Sequence, residues 1–121
     1  MISEDEILMG RDEEYPLSDS LRANLQDLLV AVNKLRTLYG KPMYVSSGYR
    51  PGHYNSAAGG APNSAHCICM AVDFKDADGA LKSWITIDIL EQCGLYQEDP
   101  GHTPTWLHVQ TRPTVNRIFM P

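Results

Sequence analysis

Positive charge is scarce in this chain: ten Lys and Arg stand against fifteen Asp and Glu, for a net charge of −5. Nonspecific nucleic-acid binding needs basic surface to displace counterions from phosphates, so no nucleic-acid partner is expected. Long apolar runs are missing as well. Nothing approaches the roughly 18 residues that span a bilayer, so no membrane insertion is expected either. The start of the chain carries Glu4, Asp5 and Glu6 where a secretory signal has basic residues and then an apolar stretch, which reads as synthesis in the cytoplasm without a signal peptide. Cysteine is sparse and odd in number: Cys67, Cys69 and Cys93 make no disulfide framework and read as reduced thiols. There is no internal repeat. P-loop, GxGxxG, HExxH and GxSxG motifs are all lacking, which removes the commonest nucleotide, zincin and serine-hydrolase readings.

What is present suits one folded unit. The length of 121 residues fits a single domain, and 43% apolar with 21% charged residues is ordinary globular composition. A chain of this size buries roughly two-thirds of its unfolded surface, enough for a core without staples. Residues 1–17 are acidic and read as a partly ordered, solvated arm. Residues 18–39 predict a helix. Ser18 or Asp19 caps it, Leu21, Leu25, Leu28, Leu29, Val32, Leu35 and Leu38 form one stripe, and Gly40 ends it. Short strands are expected over 43–46, 69–75 and 105–111, a second helix over 80–93, and a tail over 112–121 that closes the sheet through Val115, Ile118 and Phe119. In strand 69–75 Val72 and Phe74 share one face, and Ala71, Asp73 and Lys75 the other. In strand 105–111 Leu107 and Val109 face the core, while Trp106, His108 and Gln110 face away. Residues 47–64 form a long loop whose Tyr49, Arg50, His53, Tyr54 and Asn55 mark it as a site loop rather than a linker.

The chemistry-bearing set is His66, Asp73 and His108. Two imidazoles and a carboxylate suit zinc with a fourth position open to water, the arrangement of catalytic rather than structural sites. Spacing alone does not single this set out, because four histidines and fifteen acids produce such triples by chance. A rival set is His66-Cys67-x-Cys69, with thiolate ligands. No second Cys or Cys/His pair stands at finger spacing, so small buried thiols are the preferred reading there.

Taken together, Ser46-Ser47-Gly48-Tyr49-Arg50-Pro51, Ser64-Ala65-His66, Ala71-Val72-Asp73 and Trp106-Leu107-His108-Val109 resemble the zinc D-Ala-D-Ala carboxypeptidases and L-alanyl-D-glutamate endopeptidases, the LAS-type metallopeptidases. The hedgehog signalling domain shares their fold. The S-G-Y-R, S-x-H-x6-D and W-x-H blocks run in order over about residues 43–111, most like the small members found in phages and prophages. The resemblance implies an α+β fold, a small antiparallel sheet with a metal site on one face and helices packed on the other. It implies zinc on His66, Asp73 and His108, a substrate carboxylate or carbonyl on Arg50, and the substrate backbone on Ser64. The implied function is hydrolysis of peptidoglycan stem peptides at bonds involving D-amino acids, carried out on the cell wall after release or from a virion.

Two positions depart from the family pattern. Cys69 stands where a glycine is usual, which a negative φ at that residue would accommodate. Thr105 stands three residues before His108, where many members carry the acidic general base, and threonine cannot take a proton from water. Glu98, Asp99 and His102, in a loop expected over 97–104, are the substitute bases, with a carboxylate preferred. Without a base, the alternative is a zinc-holding pseudoenzyme or a phage structural or binding module.

Overall fold

The structure, a computed structural model, describes all of residues 1–121. The stripe on the first long segment decides where the core lies. Helix α2 runs Asp19–Tyr39, with the Ser18 side chain accepting the Leu21 N–H at its start and Gly40 in the left-handed region at its end. Its Leu25, Leu28, Val32 and Leu35 are fully buried. They pack against a five-stranded sheet made of β1 (Val45–Ser47), β2 (Ala71–Lys75), β3 (Tyr96–Glu98), β4 (Trp106–Gln110) and β5 (Ile118–Phe119). The strand order is β1-β2-β4-β3-β5. All neighbours are antiparallel except β3 and β5, which run parallel at one edge.

Alternation on the central strands separates the two faces. Val72, Phe74, Leu107 and Val109 are wholly buried and join α2 in one apolar core. Each such side chain contributes about 1.5–3 kcal/mol over leaving it in water. Asp73 and His108 face the other way, directly opposite each other across β2 and β4. The expected α+β arrangement, with a candidate metal group on one face and helices behind the other, is what the chain adopts.

The acidic arm differs from its sequence reading. Residues Glu4–Leu8 form helix α1, closed by a capping box between Ser3 and Glu6. Ile2, Ile7 and Leu8 are buried in the main core, and Asn33 of α2 clasps Ile2, accepting its N–H at 2.6 Å and donating to its carbonyl at 3.0 Å. The charges of the arm are solvated, but its few apolar residues are not. Helix 80–93 is in fact two: α4 (Ala80–Trp84) and α5 (Ile87–Cys93). Ile85 between them is extended, and the Thr86 hydroxyl accepts the Ile89 N–H and so begins a new helix. The site loop contains a short helix, α3 (His53–Ala57), and the expected loop over 97–104 begins with β3. Of the tail, Ile118 and Phe119 pair with β3, whereas Val115 is fully exposed.

All three cysteines are free. Cys69 is completely buried, and burial pushes its thiol up to about 12; Cys93 is buried and Cys67 only half-buried. Titration with a thiol-specific disulfide reagent at pH 8 should therefore modify Cys67 rapidly in the native protein and reach all three only after unfolding. Rapid native modification of Cys69, located by peptide mapping, would contradict this packing.

Candidate metal centre and cleft

The turn that carries His66 is built locally. Residues Ala65–Ile68 form one 3-10 turn, begun by the Ser64 hydroxyl accepting the His66 N–H at 3.2 Å. It closes at Cys69, whose φ of 59° is left-handed. The negative φ that would have accommodated Cys69 is not what the chain adopts: its N–H turns back to the Ala65 carbonyl before the chain enters β2. A side chain in that conformation costs roughly 1–2 kcal/mol, which is why glycine suits the position.

The turn brings His66 over the Asp73–His108 pair. His66 Nε2 lies 3.2 Å from Asp73 Oδ1 and 3.3 Å from His108 Nδ1, and His108 Nδ1 lies 2.8 Å from the same carboxylate oxygen. Zinc bonds of about 2.0–2.1 Å in tetrahedral geometry separate donors by about 3.3 Å, so this triangle needs little adjustment to become one face of a zinc site. All three residues are buried. Each ring is also tied at its far nitrogen. His66 Nδ1–H donates to the Gly48 carbonyl at 2.8 Å, and His108 Nε2–H donates to Gln110 Oε1 at 2.8 Å. Those bonds select the tautomers that leave His66 Nε2 and His108 Nδ1 free as metal donors.

Electrostatics match a cation. Burial would raise the Asp73 carboxyl, but its contacts with the His108 and His66 imidazoles outweigh it and hold the group well below the usual range. Burial would lower His108, yet the Asp73 carboxylate outweighs it and raises this imidazole. At His66 burial prevails and the ring is held neutral. The result is a buried anion with two imidazole donors around it, a set that a divalent cation fits.

The Gly48 carbonyl that orients His66 is itself held by the N-terminal segment. The Ile7 carbonyl accepts the Tyr49 N–H at 2.8 Å, Arg11 Nη1 donates to the Tyr49 carbonyl at 2.9 Å, and the Tyr49 hydroxyl donates to the Tyr15 carbonyl at 3.1 Å. Further along, the Glu14 carboxylate accepts from the Tyr54 hydroxyl at 3.1 Å and meets His53 Nε2 at 3.0 Å. Approach is so close at Gly48 that a Cβ there would overlap the Ile7 carbonyl.

Arg50 enters the same site from this loop, its N–H donating to the His66 carbonyl at 3.0 Å. Its guanidinium is poorly matched. Nη1 is 3.5 Å from Ser47 Oγ and 4.0 Å from Asp73 Oδ2, Nη2 is 3.5 Å from Ser64 Oγ, and Nε has no partner. The side chain is only 13% exposed. A largely buried fork with long, incomplete contacts has capacity for an incoming acceptor.

These groups line a cleft of about 620 Å³, walled by Gly59–Gly60 and Ser64 on one side and by Trp106 and Phe119 on the other. Of the three substitute bases, Glu98 alone lines it. β3 pairs Gln97 with Val109, the residue after His108, and the Glu98 carboxylate adds to the raising of that imidazole, behind Asp73 and Gln110. Asp99 instead caps the turn Pro100–His102, accepting the Gly101 N–H at 3.1 Å and meeting His102 Nδ1 at 3.0 Å. Thr105 lies exposed in the turn before β4, where its carbonyl accepts the Asp76 N–H at 3.0 Å. Sequence reasoning missed two supporting groups, the Gly48 carbonyl and Gln110. Only Gln110 left a signal, two residues after His108 on the same strand face.

Gly48→Ala should destabilise the fold by at least about 1–3 kcal/mol, the usual range for overpacking, because its obstacle is backbone. It should also loosen His66, so that metal retention falls with melting temperature. Unchanged melting and metal retention would show that the Ile7–Gly48 approach does not hold the site.

The model of the family described as Peptidase M15 matches residues 4–110. No curated protein matches the chain. The matched span runs from α1 to the end of β4 and includes His66, Asp73, His108, Arg50 and Glu98. Peptidases of this family are zinc-dependent, and the buried His-Asp-His group meets that requirement. The chain belongs to the Peptidase M15 family and is a zinc metallopeptidase of the peptidoglycan-peptidase kind.

Proposed function

We propose that the protein cleaves stem peptides of the bacterial cell wall at a bond involving a D-amino acid, in the manner of a D-Ala-D-Ala carboxypeptidase. The observation that carries this reading is the under-partnered guanidinium of Arg50 beside the His66–Asp73–His108 set, in one cleft. A planar fork fixed there suits bidentate recognition of a carboxylate close to the scissile bond.

His66 Nε2, Asp73 and His108 Nδ1 would hold the zinc, which when bound polarises a scissile carbonyl and acidifies water. The chain's own groups supply the rest. Arg50 binds the carboxylate and orients the peptide. The Ser64 hydroxyl, whose oxygen already accepts from the His66 N–H, directs its proton to the substrate backbone. Glu98 takes the proton of the attacking water and passes it to the leaving amine. It replaces from β3 the acid that position 105 lacks.

Mass spectrometry of purified peptidoglycan digested with the zinc-loaded protein tests this reading: shortened stem peptides are expected. Glu98→Gln should keep zinc and lose about 10²–10⁴ in rate, the range for a general base, whereas Asp99→Asn and His102→Gln stay near the parent. Full activity in Glu98→Gln would remove the base assignment. Intact wall peptides in the presence of zinc-loaded parent protein would transfer the reading to a zinc-holding binding module.

Gln110 gives a prediction independent of turnover. Removing the acceptor of His108 Nε2–H in Gln110→Ala should weaken zinc about 10–100-fold in chelator competition, and Gln110→Glu should retain it. Equal affinity in all three proteins would show that the Gln110 contact does not position the ligand.

A further inference from the structure

The family match ends at residue 110, yet one wall of the cleft is built by residues 112–121. Arg112, Thr114, Phe119 and Met120 all line the cleft. The segment is fixed to the site. β5 pairs Phe119 with Glu98, the Phe119 ring stands edge-on to His108 at 5.9 Å, and Gln110 Nε2 donates to the Arg112 carbonyl at 3.0 Å.

Arg112 is the charged residue of this segment that lines the cleft. Its Nη1 donates to the Asn63 carbonyl at 2.8 Å, so the guanidinium reaches from the end of β4 to the loop before His66, across one end of the cleft. That is one protein contact, at the surface, for a half-buried group with five N–H donors, and the rest are open to solvent and to a ligand in the cleft. Arg112 takes part in no ion pair, although the chain has fifteen acids. Among the side chains of the cleft, the charges of Arg50 and Arg112 balance those of Asp73 and Glu98. A bound dication therefore makes the cleft positive in a protein whose net charge is −5. Such a cleft selects anions, and its two guanidinium groups, one reaching Ser64 and the other the adjacent Asn63, offer more forks than a single carboxylate fills.

Resting on the peptidase reading above, we infer that Arg112 forms a second carboxylate subsite, so that the preferred substrate is a peptide with an additional carboxylate besides the one received by Arg50. Arg112 lies four residues after His108, which puts their backbones at most about 14 Å apart. The second carboxylate belongs close to the first, since Arg112 reaches Asn63 and Arg50 reaches Ser64, the next residue. The family-wide part of the chain carries the zinc set and Arg50, and the segment beyond it sets which peptide is taken.

The alternative is that Arg112 is a clip that holds the Asn63 loop to the sheet. Two synthetic stem peptides separate the two roles. They are identical, with the terminal carboxylate kept, except that an internal side-chain carboxylate in one is a carboxamide in the other. Binding to the zinc-loaded protein is measured by calorimetry, and turnover is measured alongside. The parent should bind the dicarboxylate peptide at least about tenfold more tightly. Arg112→Gln should remove that preference, raising KM for the dicarboxylate peptide alone with kcat, zinc content and melting temperature nearly unchanged. Arg112→Lys should restore part of it. An equal loss on both peptides, with a fall in melting temperature or zinc content, would establish the clip and overturn the subsite. So would a parent indifferent to the amide. Selective binding without cleavage would leave the subsite standing and remove the peptidase reading, whereas cleavage without selectivity would do the reverse.

Discussion

The cross-strand pair of Asp73 and His108 is the constraint on which the rest of the structure depends. A carboxylate and two imidazoles are buried together on one face of a small sheet, and desolvating an ion costs several kcal/mol before any partner compensates. The β2–β4 register supplies the compensation by placing Asp73 directly opposite His108. The same register puts Val72 and Phe74, Leu107 and Val109 into the core behind. A slip of one residue would turn the acid into the apolar core and the aromatic ring outward, so core and site specify a single pairing together.

The third donor depends on a different kind of support. His66 lies outside the sheet, in a turn that strains Cys69 into left-handed backbone, and its ring is held through the Gly48 carbonyl. That carbonyl is fixed because α1, Arg11 and Tyr15 grip the Tyr49 segment from both sides. The acidic N-terminal stretch thus acts on the site through one backbone oxygen. Its inclusion in the family match, from residue 4, agrees with that structural role.

Helix α2 and the donor set were legible in the sequence because each rests on a regular signal, the helical stripe in one and strand alternation with motif blocks in the other. The faces of β2 and β4 followed from the same alternation. What stayed hidden rests on short pieces and tertiary contacts. The segment of helix α1 hides Ile2, Ile7 and Leu8 among acids, though Ser3 and Glu6 carried a capping-box signature. Strand β3 has three residues, too few to show a period, and so Glu98 read as one of three loop candidates, preferred with Asp99 over His102, until the structure put it alone of the three in the cleft. Thr86 looked like helix interior, but a threonine that can cap also divides. The φ of Cys69 is set by where the turn must rejoin the sheet, which the identity of residue 69 does not reveal.

The zinc centre is tested most directly by X-ray absorption at the zinc edge on protein loaded with one equivalent of metal. One zinc should be surrounded only by nitrogen and oxygen at about 2.0–2.1 Å, with the scattering signature of two imidazoles. A sulfur shell at about 2.3 Å would place the metal on Cys67 or Cys69 instead, and fewer than two imidazoles would contradict the His66–Asp73–His108 centre.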